Sequence, residues 1–445
     1  MHTITIIGGG ASGTLLAIQL IRLSQKQPLT IHLVESRPQP GRGVAYSAAS
    51  LTHRLNVPAG KMSAFPQEPE HFHRWLLSQG HALEADAFVP RRWYGDYLAA
   101  LLEESLAGNA AAVTLQLHQD EAVDVSHAAG GLVVQLASGQ QLPSDQVVLA
   151  FGNFLPPYLR GGSQEYRSHP GYQHNPWDPQ LVDKVPAEAR VLIIGMGLTA
   201  VDTILSLHEA GHRGPIQAIS THGWAPAVHE LGHSYPSFSA ELAGKTSVRE
   251  LLRIVRRHLV LAQQNGSNWR AVVDALRPDT QALWQALPAA EQRRFLRHLR
   301  RLWDVARHRL PAECAAVLSE LEAAGQLQRL TGRIQAIQAT PAGLQVSYRQ
   351  HGQQHQREAD IIINCTGSES RLARLEQPLL RNLLARRLIR PDALGLGLQA
   401  QPDGWLGPGL YTLGTALKGI LWESTAIPEI RSQAQHLAAR LLAGE

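Results

Sequence analysis

Short β-branched runs alternate with helix-length amphipathic stretches along most of the chain, and a block of arginine-rich helical periodicity interrupts its second half. Residues 3–7 form a buried-strand pattern that runs into Gly8-Gly9-Gly10-Ala11-Ser12-Gly13. Residues 14–24 then have helix spacing, and 29–34 read as a second buried strand. The same grammar returns at 190–194, Gly195 to Ala200, 201–210 and 215–220. Each unit is followed by a hairpin pattern and a buried return strand, at 131–136 and 146–152 in the first and at 343–349 and 360–367 in the second. A strand at 410–413 and a helix over 427–442 close the chain, with Pro428 acceptable in the first turn and Ser424 or Thr425 as its cap. Between about 237 and 324 the period is helical throughout, with helices expected at 247–264, 269–275, 278–287 and 289–309. The pattern predicts an α/β fold of two Rossmann-like dinucleotide-binding domains with a helical insertion. The first domain is expected over 1–185 and, as its C-terminal part, 368–445; the second over 186–367.

A chain of 445 residues can bury several cores, which agrees with that division. Lys and Arg total 41 against 37 Asp and Glu, so the net charge of +4 is small and demands neither nucleic acid nor an anionic membrane as partner. The apolar run 15–23 is interrupted by Gln19 and Arg22, and a strand begins at Thr3. Neither a signal peptide nor a membrane span is expected, and the location expected is cytoplasmic. Cys314 and Cys365 are the two cysteines and form no C-x-x-C pair, which argues against a flavoprotein that works through a dithiol.

The first glycine run has the parts a dinucleotide needs. Gly8 permits a tight turn, Gly10 lets backbone amides approach a pyrophosphate at a helix N-terminus, and Gly13 lets helix and strand pack closely, with Ser12 in the same loop. Glu35 lies about 22 residues beyond Gly13, at the end of the second strand, where it can accept hydrogen bonds from ribose hydroxyls. FAD is expected here. The second run offers Gly195, Gly197 and Thr199 to a nicotinamide cofactor. After its second strand, however, stand Thr221 and His222, neither the acid that favours NADH nor the arginine that favours NADPH. His222 or Arg213 can meet a phosphate; the residues leave NADPH and NADH both open, and also a second unit kept only as scaffold.

Four stretches carry a family resemblance: Gly41-Arg42-Gly43-Val44-Ala45-Tyr46-Ser47, the segment Leu55-Asn56-Val57-Pro58 through Ser63, Val89-Pro90-Arg91-Arg92-Trp93-Tyr94 through Leu98, and Leu417-Lys418 through Arg431. Over nearly its whole length the chain resembles bacterial FAD/NAD(P)-binding flavoproteins that are distantly similar to single-component flavin monooxygenases, especially amino-acid N-hydroxylases. The resemblance implies that Arg42 contacts the nucleotide, that 56–63 passes near the isoalloxazine, and that Arg91 belongs to a conserved-looking Pro-Arg segment of N-hydroxylases. It implies NADPH rather than NADH. Lys418, Trp422 and Asn56 are the catalytic candidates, since the first two lie between the last strand and the last helix. Val123, Gly152, Thr366, Gly367, Gly414, Thr415 and Ser424 complete the cofactor-binding candidates. Thr415 stands where flavoproteins often carry an aspartate for the ribityl chain.

In the insertion, Trp269, Trp284 and Trp303 recur on apolar faces beside Arg293, Arg294, Arg297, Arg300 and Arg301, a packed bundle with a solvated basic face or a substrate lid. His229-Glu230-Leu231-Gly232-His233 matches H-E-x-x-H, yet Pro226, Gly232 and Pro236 disfavour the helix that a zinc site needs, so no metal is expected there or at His71 and His73. The expected activity is NAD(P)H-dependent oxygenation of a small nitrogen-containing substrate through a C4a-hydroperoxyflavin. An FAD dehydrogenase or oxidase, or a flavin-binding redox partner protein, stays open, as does a homo-oligomer.

Overall fold

The computed structural model describes residues 2–24, 27–47, 50–109, 112–159, 161 and 164–444. The first unit contains β1 (His2–Ile7), β2 (Leu29–Val34), β3 (Val113–His118), a small antiparallel sheet of β4 (Ala122–Ala128), β5 (Gly131–Leu136) and β6 (Gln141–Ser144), and β7 (Gln146–Leu149). The second contains β8 (Tyr172–Gln173), β9 (Val191–Ile194), β10 (Ile216–Ser220), β11 (Leu327–Thr331), a second antiparallel sheet of β12 (Arg333–Thr340), β13 (Gly343–Gln350) and β14 (Gln353–Ala359), and β15 (Ile361–Asn364). β16 (Trp405–Gly407) and β17 (Leu410–Thr412) then return to the first sheet.

The first sheet has the order β16-β17-β7-β1-β2-β3 and is parallel except for β16; the second, β11-β10-β9-β15-β8, is parallel throughout. β1 lies between β2 and β7, and β9 between β10 and β15, so both glycine runs leave their sheets at the point where strand order changes direction. Ligands of open α/β sheets bind at that point. The expected α/β fold of two Rossmann-like units with a helical insertion is present. Tyr172–Gln173 lies inside the span expected for the first unit, yet it pairs with β15 in the second sheet. A two-residue strand has no hydrophobic period by which a sequence could reveal it.

The helix Ala11–Leu23 is mostly apolar because residues 13–21 are buried, between the first sheet, the helix Arg91–Ala107 and the helix Ile427–Ala443, with Arg22 left exposed. Met62 is buried in the same core. In the second unit the last helix of the insertion, Ala312–Ala323, sends Cys314, Leu318 and Leu321 into the core of β9, β10 and β15. It is the crossover helix into β11 rather than part of the bundle. The helix expected over 289–309 is two, Ala289–His298 and Arg300–Arg307, broken at Leu299 (φ −117°, ψ −21°). No proline or glycine marks the break, which is why periodicity runs through it. Trp303 stays on the bundle core while Arg300, Asp304 and His308 reach the interior cleft.

One helix of the second unit, Leu198–Glu209, is clasped by the first unit along a single stripe. Asp202, Ser206 and Glu209 lie on one face, at spacings of four and three residues. Arg91 Nη1 pairs with Asp202 at 2.9 Å, His53 Nε2 meets Ser206 Oγ at 2.7 Å, and Ser50 Oγ donates to Glu209 at 2.5 Å. Arg54 adds an ion pair to Glu313 at 3.2 Å. The Arg91–Asp202 pair is the least exposed of these, with 18% and 15% of the two side chains reached by solvent. Asp202→Ala is expected to weaken the clasp by on the order of 1–3 kcal/mol, leaving a half-buried cation without its carboxylate. Faster limited proteolysis between the units would show it, and an unchanged cleavage pattern would refute it.

Candidate functional site

Both glycine loops are built by the same backbone device. Gly8 has φ +107° and donates its amide to Val34 O at 2.8 Å; a Cβ there would stand 2.6 Å from Ala150 O. Gly195 has φ +117°, donates to Ile219 O at 2.8 Å, and its Cβ would stand 2.3 Å from Cys365 O. The left-handed backbone and the lack of room both require glycine. Two residues on, Gly10 and Gly197 begin the helices Ala11–Leu23 and Leu198–Glu209 in nearly identical extended conformations, and neither helix start has a side-chain cap. Uncapped first-turn amides leave donors for an anion, and the helix dipole favours one.

At the first loop Glu35 Oε2 accepts the Gly9 amide at 2.9 Å and Oε1 accepts that of Arg37 at 3.0 Å. A carboxylate has about four acceptor positions, so capacity remains for a ribose. Gly13 does what its spacing implies: a Cβ there would lie 1.9 Å from Gly8 O. Gly414, at φ +76°, comes so near that its Cβ would meet Ser12 Oγ at 2.7 Å, and Gly41 donates to Gly9 O at 2.8 Å. Arg42 Nε, Ser424 Oγ and Gln433 Nε2 are among the buried polar atoms in or beside the candidate segments that lack a partner. Gln433 itself is held by the Gly414 amide at 2.9 Å. Buried polar atoms rarely stay unpaired, so this set and the uncapped loop fit a polar dinucleotide.

The second loop opens into a cleft of about 740 Å³. Gly152, Gly195, Gly197, Thr199, His222, Thr366, Gly367, Thr415 and Lys418, nine of the residues singled out from sequence, line it together. No atom lies within 4 Å of a Cβ built on Gly152, Gly197 or Gly367, so at these positions the backbone faces open space. At one end Ser220, Thr221 and His222 meet Arg333, which has no ion pair among the described residues, and Trp224, which stacks on His222 at 4.8 Å. At the other, Thr415 Oγ1 donates to Phe151 O at 3.4 Å, next to Gly414 and the first loop. Here Lys418 meets Arg300, Arg301, Asp304 and His308 from the insertion. Burial, and then the Arg300 charge, lower the Lys418 pKa; burial lowers that of His308 as well, against Asp304 and Glu423, although 40% of its side chain still faces cleft water. Cys365 lies at the floor, its thiol pushed up to about 12 by burial, and is no thiolate nucleophile at neutral pH.

Other candidates lie elsewhere. Trp422 is buried in the bundle, stacked on Trp284 at 5.0 Å and edge-on to Phe295, which corrects the expectation that it faces flavin or substrate. Its backbone takes φ +63°, and its ring lies 5.4 Å from Lys418 Nζ. Arg91 is committed to Asp202 and to Arg54 O at 2.9 Å. Arg42 Nη2 pairs with Asp96 at 2.5 Å. Asn56 offers only its carbonyl, to His229 Nε2 at 3.0 Å, and Val123 its carbonyl to Asn382 at 2.8 Å. Neither Ser424 nor Thr425 caps the last helix: its cap is Ala426, with no side-chain bond. Arg213 pairs with Glu188 at the surface. The 229–233 segment is not helical and Gly232 has φ +85°; His233 pairs with Glu230, while His71 and His73 bond Tyr97 and Leu83 O. Arg300, Asp304, His308, Arg333 and Trp224 are the cleft residues that sequence reasoning missed or read as solvent-facing. Arg333 follows the strand beside β10 and was findable only from sheet order.

The fold has two Rossmann-like units, each with a glycine loop of the dinucleotide-binding type at its switch point. Residues 5–154 match a family described as FAD-NAD(P)-binding. A curated relative, the L-aspartate N-monooxygenase (nitrosuccinate-forming) of Streptomyces davaonensis, is 28% identical over 261 residues, 48% of this chain and 39% of the relative. The chain thus spans about two fifths of the length of that relative. Among solved structures, the ornithine N-hydroxylase of Kutzneria sp. 744 covers 99% of both chains with TM-score 0.67 at 16% identity. The cadaverine monooxygenase of Erwinia amylovora covers 100% of this chain and 94% of its own at TM-score 0.67 and 15% identity. These two likenesses carry the fold. Among the described residues no helix is long and apolar enough to cross a membrane, and no group of three or more His, Cys, Asp or Glu could hold a metal ion.

Gly10→Val is expected to abolish the yellow colour of the purified protein, because the added side chain enters the loop where Gly43 packs at 3.4 Å. Glu35→Ala should weaken FAD retention by on the order of tenfold, the scale of one charge-assisted hydrogen bond. Bound flavin measured by absorbance decides both; full occupancy in Gly10→Val would remove the assignment of the first loop.

Proposed function

We propose that this chain is an FAD-dependent monooxygenase that uses NADPH and acts on a small nitrogen-containing substrate. The observation that carries the reading is the single cleft that runs from the second glycine loop to Thr415 and Lys418, beside the first loop. A nicotinamide nucleotide lying along it would extend from His222 to the place where the first nucleotide's reactive end belongs. The match to FAD-NAD(P)-binding sequences and the curated relative's N-monooxygenase activity support it. In this reading residues 1–185 and 368–445 form the FAD unit and 186–367 the nicotinamide unit, with β8 lent to the second sheet.

Bound FAD supplies two-electron exchange with a reduced nicotinamide and, once reduced, reaction with dioxygen. The chain supplies position and protection. The amides around Gly10 and the Glu35 carboxylate hold one dinucleotide, and the amides around Gly197, with Thr199, hold the other. Arg333 and His222 meet a 2′-phosphate at the far end, which restores the preference for NADPH that Thr221-His222 leaves open. His308, its pKa lowered by burial, is neutral at pH 7 and can accept a proton from a substrate ammonium. The insertion closes one wall of the cleft with Trp303, Phe295 and Trp284 behind it, limiting water at the reacting end.

Stopped-flow reduction tests this directly. NADPH should reduce the flavin faster than NADH by about tenfold, one charge-assisted contact, and Arg333→Ala with His222→Ala should erase the difference. Gly197→Val should fold normally, since its side chain meets open space, and should slow reduction by both nucleotides while FAD stays bound. Normal reduction of Gly197→Val would show the second unit to be scaffold and sink the proposal.

A further inference from the structure

We infer that the helical insertion carries an anion seat, formed by Arg300 and Lys418 at the flavin end of the cleft, that receives the carboxylate of an acidic amine substrate such as a dicarboxylic amino acid. The inference rests on the monooxygenase reading for the reaction, though not for the binding.

Charge is unbalanced at this point. Among the described residues Asp304 is the one carboxylate within 4 Å of Arg300 and Arg301, at 3.7 Å and 3.8 Å, both beyond hydrogen-bond length, and the neutral His308 also lies 3.8 Å from it. The other nearby acid, Glu423, is turned to the bundle, where its Oε1 accepts from Trp303 Nε1 at 2.8 Å. Lys418 makes no ion pair among the described residues; its Nζ rests 5.4 Å over the Trp422 ring. Arg300 Nε is buried without a hydrogen-bond partner, although 36% of the whole side chain is reached by solvent and the residue lines the cleft. The fields of Arg300 and Arg301 both push the Lys418 proton off, an electrostatic cost that a bound anion would relieve. An arginine fork and an ammonium facing one space suit a carboxylate, which takes a paired contact from the first and a point charge from the second.

Position separates this seat from the cofactor's phosphates. His222 and Arg333 follow β10 and β11, at the edge of the second sheet, and the uncapped loop at Gly197 follows β9, one strand further in. The seat instead adjoins Thr415 and Thr425, on the segment that touches the first loop through Gly414 and Ser12. A substrate anchored there by a carboxylate would place its amine near His308, the neutral acceptor in the same wall. A diamine has no anion for Arg300 and Lys418 to hold.

The experiment titrates the FAD-loaded full chain calorimetrically with succinate, L-aspartate and cadaverine, and separately with NADP⁺, for the native protein, Arg300→Met, Arg300→Lys and Lys418→Met. Unchanged flavin content certifies that each variant is folded. Succinate and L-aspartate should bind more tightly than cadaverine. Arg300→Met should weaken L-aspartate by on the order of tenfold to a hundredfold, and by at least tenfold more than it weakens NADP⁺, with partial recovery in Arg300→Lys. Lys418→Met should act in the same direction. Loss of NADP⁺ affinity equal to or greater than that of L-aspartate would assign the cations to the cofactor's phosphates and overturn the seat. So would cadaverine binding as tightly as succinate. Hydroxylation of cadaverine untouched by Arg300→Met would overturn the seat while leaving the monooxygenase reading in place. Succinate binding lost in Arg300→Met, with no amine oxidised, would support the seat and sink that reading instead.

Discussion

A glycine with positive φ follows each central strand and gives its amide to a carbonyl at the end of the neighbouring strand, Val34 or Ile219; the nucleotide sites depend on that turn. It reverses the chain so tightly that the following helix starts at the sheet edge with its first amides uncapped. The glycine is enforced from both sides, by a backbone angle that other residues avoid and by a carbonyl of the return strand, Ala150 or Cys365, standing where a side chain would go. Strand, turn and return strand are therefore one mechanical unit. A change in any of the three would move the anion-binding end of the helix.

Because the device is made twice in one chain, the proposed passage of electrons between two ligands requires the two helix starts to be held in a common frame. The clasp on the helix Leu198–Glu209 does this with polar contacts on one stripe rather than with a shared hydrophobic core. Partly exposed ion pairs and hydrogen bonds are individually weak, and a stripe of them holds orientation while costing little to loosen. The two main cores stay separate on either side of it.

The insertion gives the cleft its chemistry. Its aromatic core captures Trp422 from the C-terminal segment, and Trp284 donates to the Gly419 carbonyl at 2.9 Å, which anchors the short helix Lys418–Leu421 on the helix Thr280–Ala286 of the insertion. A residue that looks like a site candidate by its neighbourhood in sequence thus serves by packing. Residues that look like a solvated basic face supply the charged wall.

The sequence by itself determined both nucleotide loops, the two-unit α/β fold and the place of the insertion, because each is written in local terms: a hydrophobic period, a glycine spacing, an acid at the end of a strand. Gly8, Gly10, Gly13, Glu35, Gly195 and Gly197 all sit where their spacing implies. Only the tertiary structure decided what stands across the cleft from them. Arg333 reaches His222 because β11 pairs with β10 across more than a hundred residues of chain, and Arg300 reaches Lys418 because the bundle breaks at Leu299, where no proline or glycine announces it. The partners of Trp422 and Arg91 were hidden for the same reason, since a side chain's direction at a segment junction is set by what packs against it. Local pattern records the strands and turns that backbone geometry demands; the meeting of distant side chains depends on packing between elements, which no local pattern contains.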